Sequence, residues 1–135
     1  MKYYKYILFI IHITCCIYPQ FGKNVVQYEE FDWEFIQTNN FDIYFYSQGE
    51  MQLELIAKYC EDANDKIAKY IGWDLNKRSA IIIYNSHNDF QQTNVVDSYL
   101  PEGVGGVTEL WKNRVVIPFD GSLKEFKHVI YHELV

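Results

Sequence analysis

A chain of 135 residues with 49% apolar composition has material for one hydrophobic core and not for two independent ones. Twelve Tyr, nine Phe and three Trp exclude a disordered polymer, because that much aromatic surface favours burial. A net charge of -6, with the twelve Lys and Arg scattered along the chain, excludes the basic stripe that a nucleic-acid partner needs.

Lys2 and Lys5 precede the apolar run Ile7 to Ile13, and the sequence turns polar at Pro19 and Gln20. This pattern predicts a secretory signal peptide over residues 1–19 and an exported product. The run is shorter than the ~20 apolar residues needed to cross a bilayer, so no transmembrane span is expected beyond the signal. Cys15 and Cys16 raise lipidation, but Thr14 and His12 spoil the small-residue pattern that a lipoprotein signal requires. Processing would leave Cys60 alone, a thiol read as buried and inert within a helical stretch.

Residues 20–135 then read as one domain. Phe21 to Phe31 is a polar and aromatic lead-in, Phe41 to Tyr46 alternates as a strand, and Ser47, Gln48 and Gly49 form a turn. From Glu50 to Ile71, Leu53, Ile56, Ala57, Tyr59, Cys60, Ala63, Ile67, Tyr70 and Ile71 recur at helical spacing, with Gly72 as the stop. Ala80 to Tyr84 is a β-branched run suited to a strand covered on both faces. Asn88 to Asn94 suggests a short helix, and Pro101 through Gly106 a loop.

Gly106 to Leu110 and Arg114 to Pro118 flank Trp111, Lys112 and Asn113, which predicts a hairpin. The second arm is expected to be the edge strand, where Arg114, Val115, Val116 and Ile117 would bind an extended peptide through main-chain hydrogen bonds. Asp120, Gly121 and Ser122 make a turn and helix cap, with Glu125 placed as in a capping box. Leu123, Phe126, Ile130 and Leu134 form the stripe that this last helix buries. Strands and helices in this order predict an α+β domain, a mixed sheet with an edge strand packed on two main helices.

The final residues, His132, Glu133, Leu134 and Val135, fill four positions of H-E-x-x-H. Two histidines four residues apart on a helix can hold one Zn2+ from the same side, and the intervening carboxylate can act as general base toward an activated water. His132 is therefore the candidate metal ligand and Glu133 the candidate catalytic residue. No cap, proline or polar tail follows, so the sequence is expected to be an inactive front piece of a longer protein with residue 136 a histidine. His128 and His132 share the same spacing and form an alternative pair, though His128 reads more simply as a solvent-facing residue. His87 suits loop capping, and Glu102 and Glu109 are carboxylates near the glycine loop that could meet a substrate amine.

Phe21-Gly22-Lys23-Asn24, Val26-Gln27-Tyr28, Phe31-Asp32-Trp33 and Phe41 to Tyr46, with Ile83 to Asn88 and Phe90 to Asn94, form one set of local patterns. Pro101 to Gly106, Arg114-Val115-Val116, Phe119-Asp120-Gly121 and His132 to Val135 complete it. Together they resemble the amino-terminal part of large exported bacterial proteins, in which a peptidase-MA-like, gluzincin-type domain precedes a TolB-like β-propeller. The resemblance implies a zincin-like fold, zinc bound by His132, Glu133 as base, a further histidine and a glutamate ligand downstream, a carboxy-terminal propeller and a peptide or protein substrate. A non-catalytic, peptidase-like scaffold beside such a propeller is the alternative.

Overall fold

The computed structural model describes residues 26–47, 50–94, 100–101 and 103–135. The signal segment, Cys15, Cys16, the lead-in through residue 25 and Glu102 lie outside the described residues. Five strands form one mixed sheet: β1 (Glu34–Gln37), β2 (Phe41–Phe45), β3 (Ser79–Tyr84), β4 (Val107–Glu109) and β5 (Arg114–Pro118). The helices are α1 (Glu50–Ile71), the short α2 (His87–Phe90) and α3 (Leu123–Glu133).

The spatial order is β1-β2-β3-β5-β4, with β2, β3 and β5 parallel and an antiparallel strand at each edge. The chain is α+β, as the alternation of strands and helices predicted. One row of side chains, set by register, runs Ile43, Ile81, Val115 and Thr108. The neighbouring row, Tyr44, Ile82, Val116 and Val107, points to the opposite face because strand side chains alternate.

The first face is covered by α1 and α3. Ile56, Cys60 and Ala63 of α1 and Phe126 and Ile130 of α3 pack on Phe41, Ile43, Ile81, Ile83, Val115 and Ile117. Their spacings of three and four place them on one side of each helix, which is why the periodicity of the sequence located both helices. The α1 stripe outruns the core: Tyr70 is 94% exposed and Ile71 54%, so the last turn projects past the sheet. Gly72 follows with φ +74, the left-handed conformation that ends a helix without a Cβ penalty.

The second face carries a separate cluster of Tyr46, Tyr84, Phe90, Leu100 and Val116. Phe31 and Trp33 cover it by ring contacts with Tyr46 and Tyr84. The Tyr46 hydroxyl donates to Asp89 at 2.6 Å and accepts from the Asn85 amide at 2.8 Å, tying β2 to α2. Burial and the Asp89 carboxylate both raise the Tyr46 pKa, so this phenol stays protonated.

The expected hairpin is present, with Leu110–Lys112 as a single 3-10 turn. Asn113 closes it at φ 51, and its side chain donates to the Arg78 carbonyl at 3.0 Å. The expected edge position is corrected. Strand β5 lies between β3 and β4, so its main chain is hydrogen-bonded on both sides. Arg114, Val115 and Val116 are therefore paired on both sides and Ile117 is paired with β3, so the strand is not the outer one expected to receive a peptide, and Val115 and Ile117 are core residues. Sequence hydrophobicity could not separate the two arms of the hairpin, since either could have been the outer one. The outer arm is β4. Strand β1 lies between the lead-in and the Phe41 strand, where no element was expected; its burial is slight and its four residues lack strong alternation.

Candidate functional site

Helix α3 begins at Ser122, whose hydroxyl accepts from the Glu125 amide at 3.3 Å. The reciprocal half of the expected capping box is replaced by Asp120, whose carboxylate accepts from the Ser122 amide at 2.9 Å. The buried Phe126 and Ile130 fix the rotation of α3 on the sheet, and that rotation turns His128, His132 and Glu133 toward the loop leading into β4. These three side chains, with Val104, Gly105, Gly106 and Val129, line a cleft of about 380 Å³.

Glu133 is held from outside its own helix. Thr108, in the edge strand β4, lies with its Oγ1 2.6 Å from Glu133 Oε2 and 2.8 Å from the Glu133 carbonyl oxygen. Its one proton favours the carboxylate, since a hydrogen bond to an ionised acceptor is the stronger. The nearby carbonyl belongs to the last turn of α3, where no intrahelical donor is available. Register explains the meeting: Thr108 is in the row of Ile43, Ile81 and Val115, which faces the helices.

Gly106 completes the seat. A Cβ at this position would lie 3.0 Å from Glu133 Cγ and 3.1 Å from both Cδ and Oε1. Contacts that close are tighter than most real Cβ contacts, so a side chain here would push Glu133 back by a few tenths of an ångström; what the glycine supplies is space and not a left-handed backbone. At Gly105 a Cβ would meet Val129 Cγ2 at 3.3 Å, whereas at Gly103 nothing lies within 4 Å. The loop thus presses on α3 with increasing closeness toward Glu133. Neither Thr108 nor the tight role of Gly106 was singled out in the sequence; the available signal was a glycine pair feeding a strand whose second residue carries a hydroxyl.

His132 and His128 are both solvent-exposed on the cleft side of α3. Among the described residues no group of three or more His, Cys, Asp or Glu side chains is placed to hold a metal ion. The donor set present is one imidazole of the H-E pattern, a neighbouring imidazole one turn earlier and the Thr108-bound carboxylate, which is short of a catalytic zinc set.

The other candidates separate from this cleft. Glu109 is ion-paired with Arg114 and with Lys112 at 3.0 Å. Desolvation raises its pKa, but donation from Lys112 and Arg114 outweighs that and leaves the carboxyl below its ordinary range. Glu109 is thus committed to its own strand end. The Arg114 side chain lines a different pocket, on the second sheet face, with Trp33, Tyr44, Ile82 and Tyr84. Cys60 is fully buried, and desolvation pushes its thiol up to about 12, as expected of an inert core cysteine. The helix cap at α2 is Ser86, which accepts from the Asp89 amide at 3.1 Å, and not His87. No helix among the described residues is long and apolar enough to cross a membrane.

In comparison with known proteins, the chain matches no family model, no curated protein and no solved structure.

Proposed function

We propose that this chain is the front part of the catalytic domain of an exported, zinc-dependent metallopeptidase, with His132 as a zinc ligand and Glu133 as general base. The observation that supports the reading most strongly is the seat of Glu133: an edge-strand hydroxyl at 2.6 Å and a glycine in contact hold a helical carboxylate directly after an exposed histidine. Surface glutamates of no consequence are seldom gripped from a second element, because immobilising a long side chain costs entropy.

Zinc, bound by His132 with ligands contributed from position 136 and from a later glutamate, would supply Lewis-acid polarisation of a peptide carbonyl and an acidified water. Glu133, next to His132 on α3, would be the base that holds and moves a proton in the cleft. Thr108 would steady that carboxylate through its hydrogen bond to Oε2. Among the described residues strand β4 is the outermost strand beside Glu133, and on this reading an extended peptide adds to it by main-chain hydrogen bonds. The role earlier expected of Arg114 to Ile117 belongs on this reading to Val107–Glu109. A carboxy-terminal β-propeller in the same parent protein completes the proposal.

The test has two stages. The gene read past codon 135 should encode histidine at 136, and the whole protein should hydrolyse peptides in a chelator-sensitive manner, with Glu133→Gln abolishing turnover while zinc stays bound. Any other residue at 136 removes the peptidase reading and leaves a non-catalytic scaffold.

A further inference from the structure

Leu110 is 85% exposed and Trp111 97%, side by side on the turn that joins β4 to β5. Neither belongs to a core cluster, and neither lines the two clefts already described. The pair projects from the sheet instead of flooring a groove.

The turn that carries it is held firmly. Asn113, at φ 51, donates its amide to the Leu110 carbonyl at 3.3 Å and its side chain to the Arg78 carbonyl at 3.0 Å. Its own carbonyl accepts from the Ala80 amide at 3.1 Å and from the Ser79 hydroxyl at 3.0 Å. Glu109 pairs with Lys112 and Arg114 across the base of the turn. Polar contacts thus close the turn without help from Leu110 or Trp111. An indole displayed on a rigid support can bind with little loss of conformational entropy, which is how an exposed aromatic anchor gains affinity.

The charge around the tip selects the partner. The segments that meet there, residues 77–80 and 109–114, carry Lys77, Arg78, Lys112 and Arg114. Two carboxylates face them: Glu109, and on β2 Asp42, which pairs with Arg78 at 3.1 Å. Four cations against two carboxylates leave an excess of two positive charges, in a chain whose net charge is -6. An indole and an aliphatic side chain rimmed by Lys and Arg suit a bilayer boundary, where the ring lies among headgroups and the cations meet anionic lipid. A protein would need a pocket shaped for the tip, whereas a bilayer admits a protruding tip without one.

We propose that the β4–β5 turn docks the chain on an anionic lipid surface, with Leu110 and Trp111 entering the interface and Lys77 and Lys112 at the headgroups. The proposal is independent of the zinc reading, since none of these residues lines the Glu133 cleft.

The chain is mixed with vesicles made of equal parts phosphatidylglycerol and acyl-brominated phosphatidylcholine, and with vesicles of the brominated lipid alone. Bromine quenches an indole that reaches the acyl boundary, and the difference between the parent chain and Trp111→Phe isolates position 111. No tryptophan lies within residues 1–19, so attachment through the apolar run Ile7 to Ile13 does not itself produce the signal. Anionic vesicles should quench Trp111. Lys77→Gln with Lys112→Gln should raise the lipid needed for half-quenching by about 10-fold, and added salt should act in the same direction. Leu110→Ala should raise it several-fold, while Tyr28→Ala, at another exposed aromatic, should leave it unchanged. All these positions are exposed, so the unfolding midpoints should match the parent's. Trp111 left unquenched on anionic vesicles, equal quenching on neutral ones, or a double lysine variant as effective as the parent would overturn the proposal. Shielding of Trp111 on raising the protein concentration without lipid would assign the tip to a second copy of the chain and overturn it as well.

Discussion

Replacing Gly106 by alanine isolates the contact on which the candidate site depends. The new methyl would sit 3.0 Å from Glu133 Cγ and 3.1 Å from Cδ and Oε1, so the glutamate must retreat by several tenths of an ångström. That retreat strains and weakens the 2.6 Å bond from Thr108 without taking the pair beyond hydrogen-bond reach. A hydrogen bond to a charged group contributes about 1.5–3 kcal/mol, and the half-exposed setting of Glu133 makes the lower figure the ceiling on what weakening it costs. Against it, an alanine restricts the unfolded chain and returns about 0.4–1 kcal/mol. The net expectation is a destabilisation of at most about 1 kcal/mol relative to the Gly103→Ala control, measured by urea unfolding followed through Trp fluorescence. Gly103→Ala is the internal control: a Cβ there meets nothing within 4 Å, so the same substitution three residues earlier should be neutral or stabilising. In the whole protein, Gly106→Ala should depress kcat far more than its stability cost explains, because the carboxylate no longer sits where Thr108 held it. If Gly106→Ala is as stable as Gly103→Ala and the Thr108 and Glu133 resonances keep their positions, the close approach assigned to this glycine is wrong.

Phe126→Ala should cost about 3–5 kcal/mol, the range for emptying a buried aromatic site, since Phe126 is 2% exposed under the sheet; thermal and urea unfolding would show a folded variant of near wild-type stability if its packing role is mistaken. Glu61 accepts from the Asn40 amide at 2.9 Å and from its side chain at 2.7 Å. Desolvation raises its pKa, but these bonds and one from Thr38 lower it further, to a net value below the ordinary one. The unfolded chain therefore binds the extra proton first, so the stabilisation is complete above the ordinary glutamate pKa and is lost as pH falls through the lower folded value. Glu61→Gln should flatten the fall in stability between about pH 5 and pH 3, and an unchanged acid limb in the variant would contradict the assignment. Cys60 should resist thiol reagents in the native chain and react at the rate of unfolding, so fast labelling in buffer would show that the core is open. The 135-residue chain, dialysed after zinc loading, should retain well under one zinc per chain by elemental analysis; stoichiometric retention at sub-micromolar free zinc would mean that His128 and His132 suffice.

Periodicity was enough to read the two large helices, because burying one side of a helix against a sheet imposes spacings of three and four that survive in the residue order: Ile56, Cys60 and Ala63, then Phe126 and Ile130. Local chemistry was likewise legible where a single turn decides it, as at Gly72 and Ser122. The H-E pair at 132 and 133 could be named from adjacency alone, since the pattern is a property of one helix. What the residue order left open were relations between segments distant along the chain. Which hairpin arm faces outward depends on where β3 docks, and β3 chose the Arg114–Pro118 arm, whose Val115 and Ile117 complete the core. The partnership of Thr108 with Glu133 spans 25 positions and follows from strand register and helix rotation together. A hydroxyl and a carboxylate carry no mark of each other in the sequence; only the docking of α3 against the edge strand brings them within a hydrogen bond.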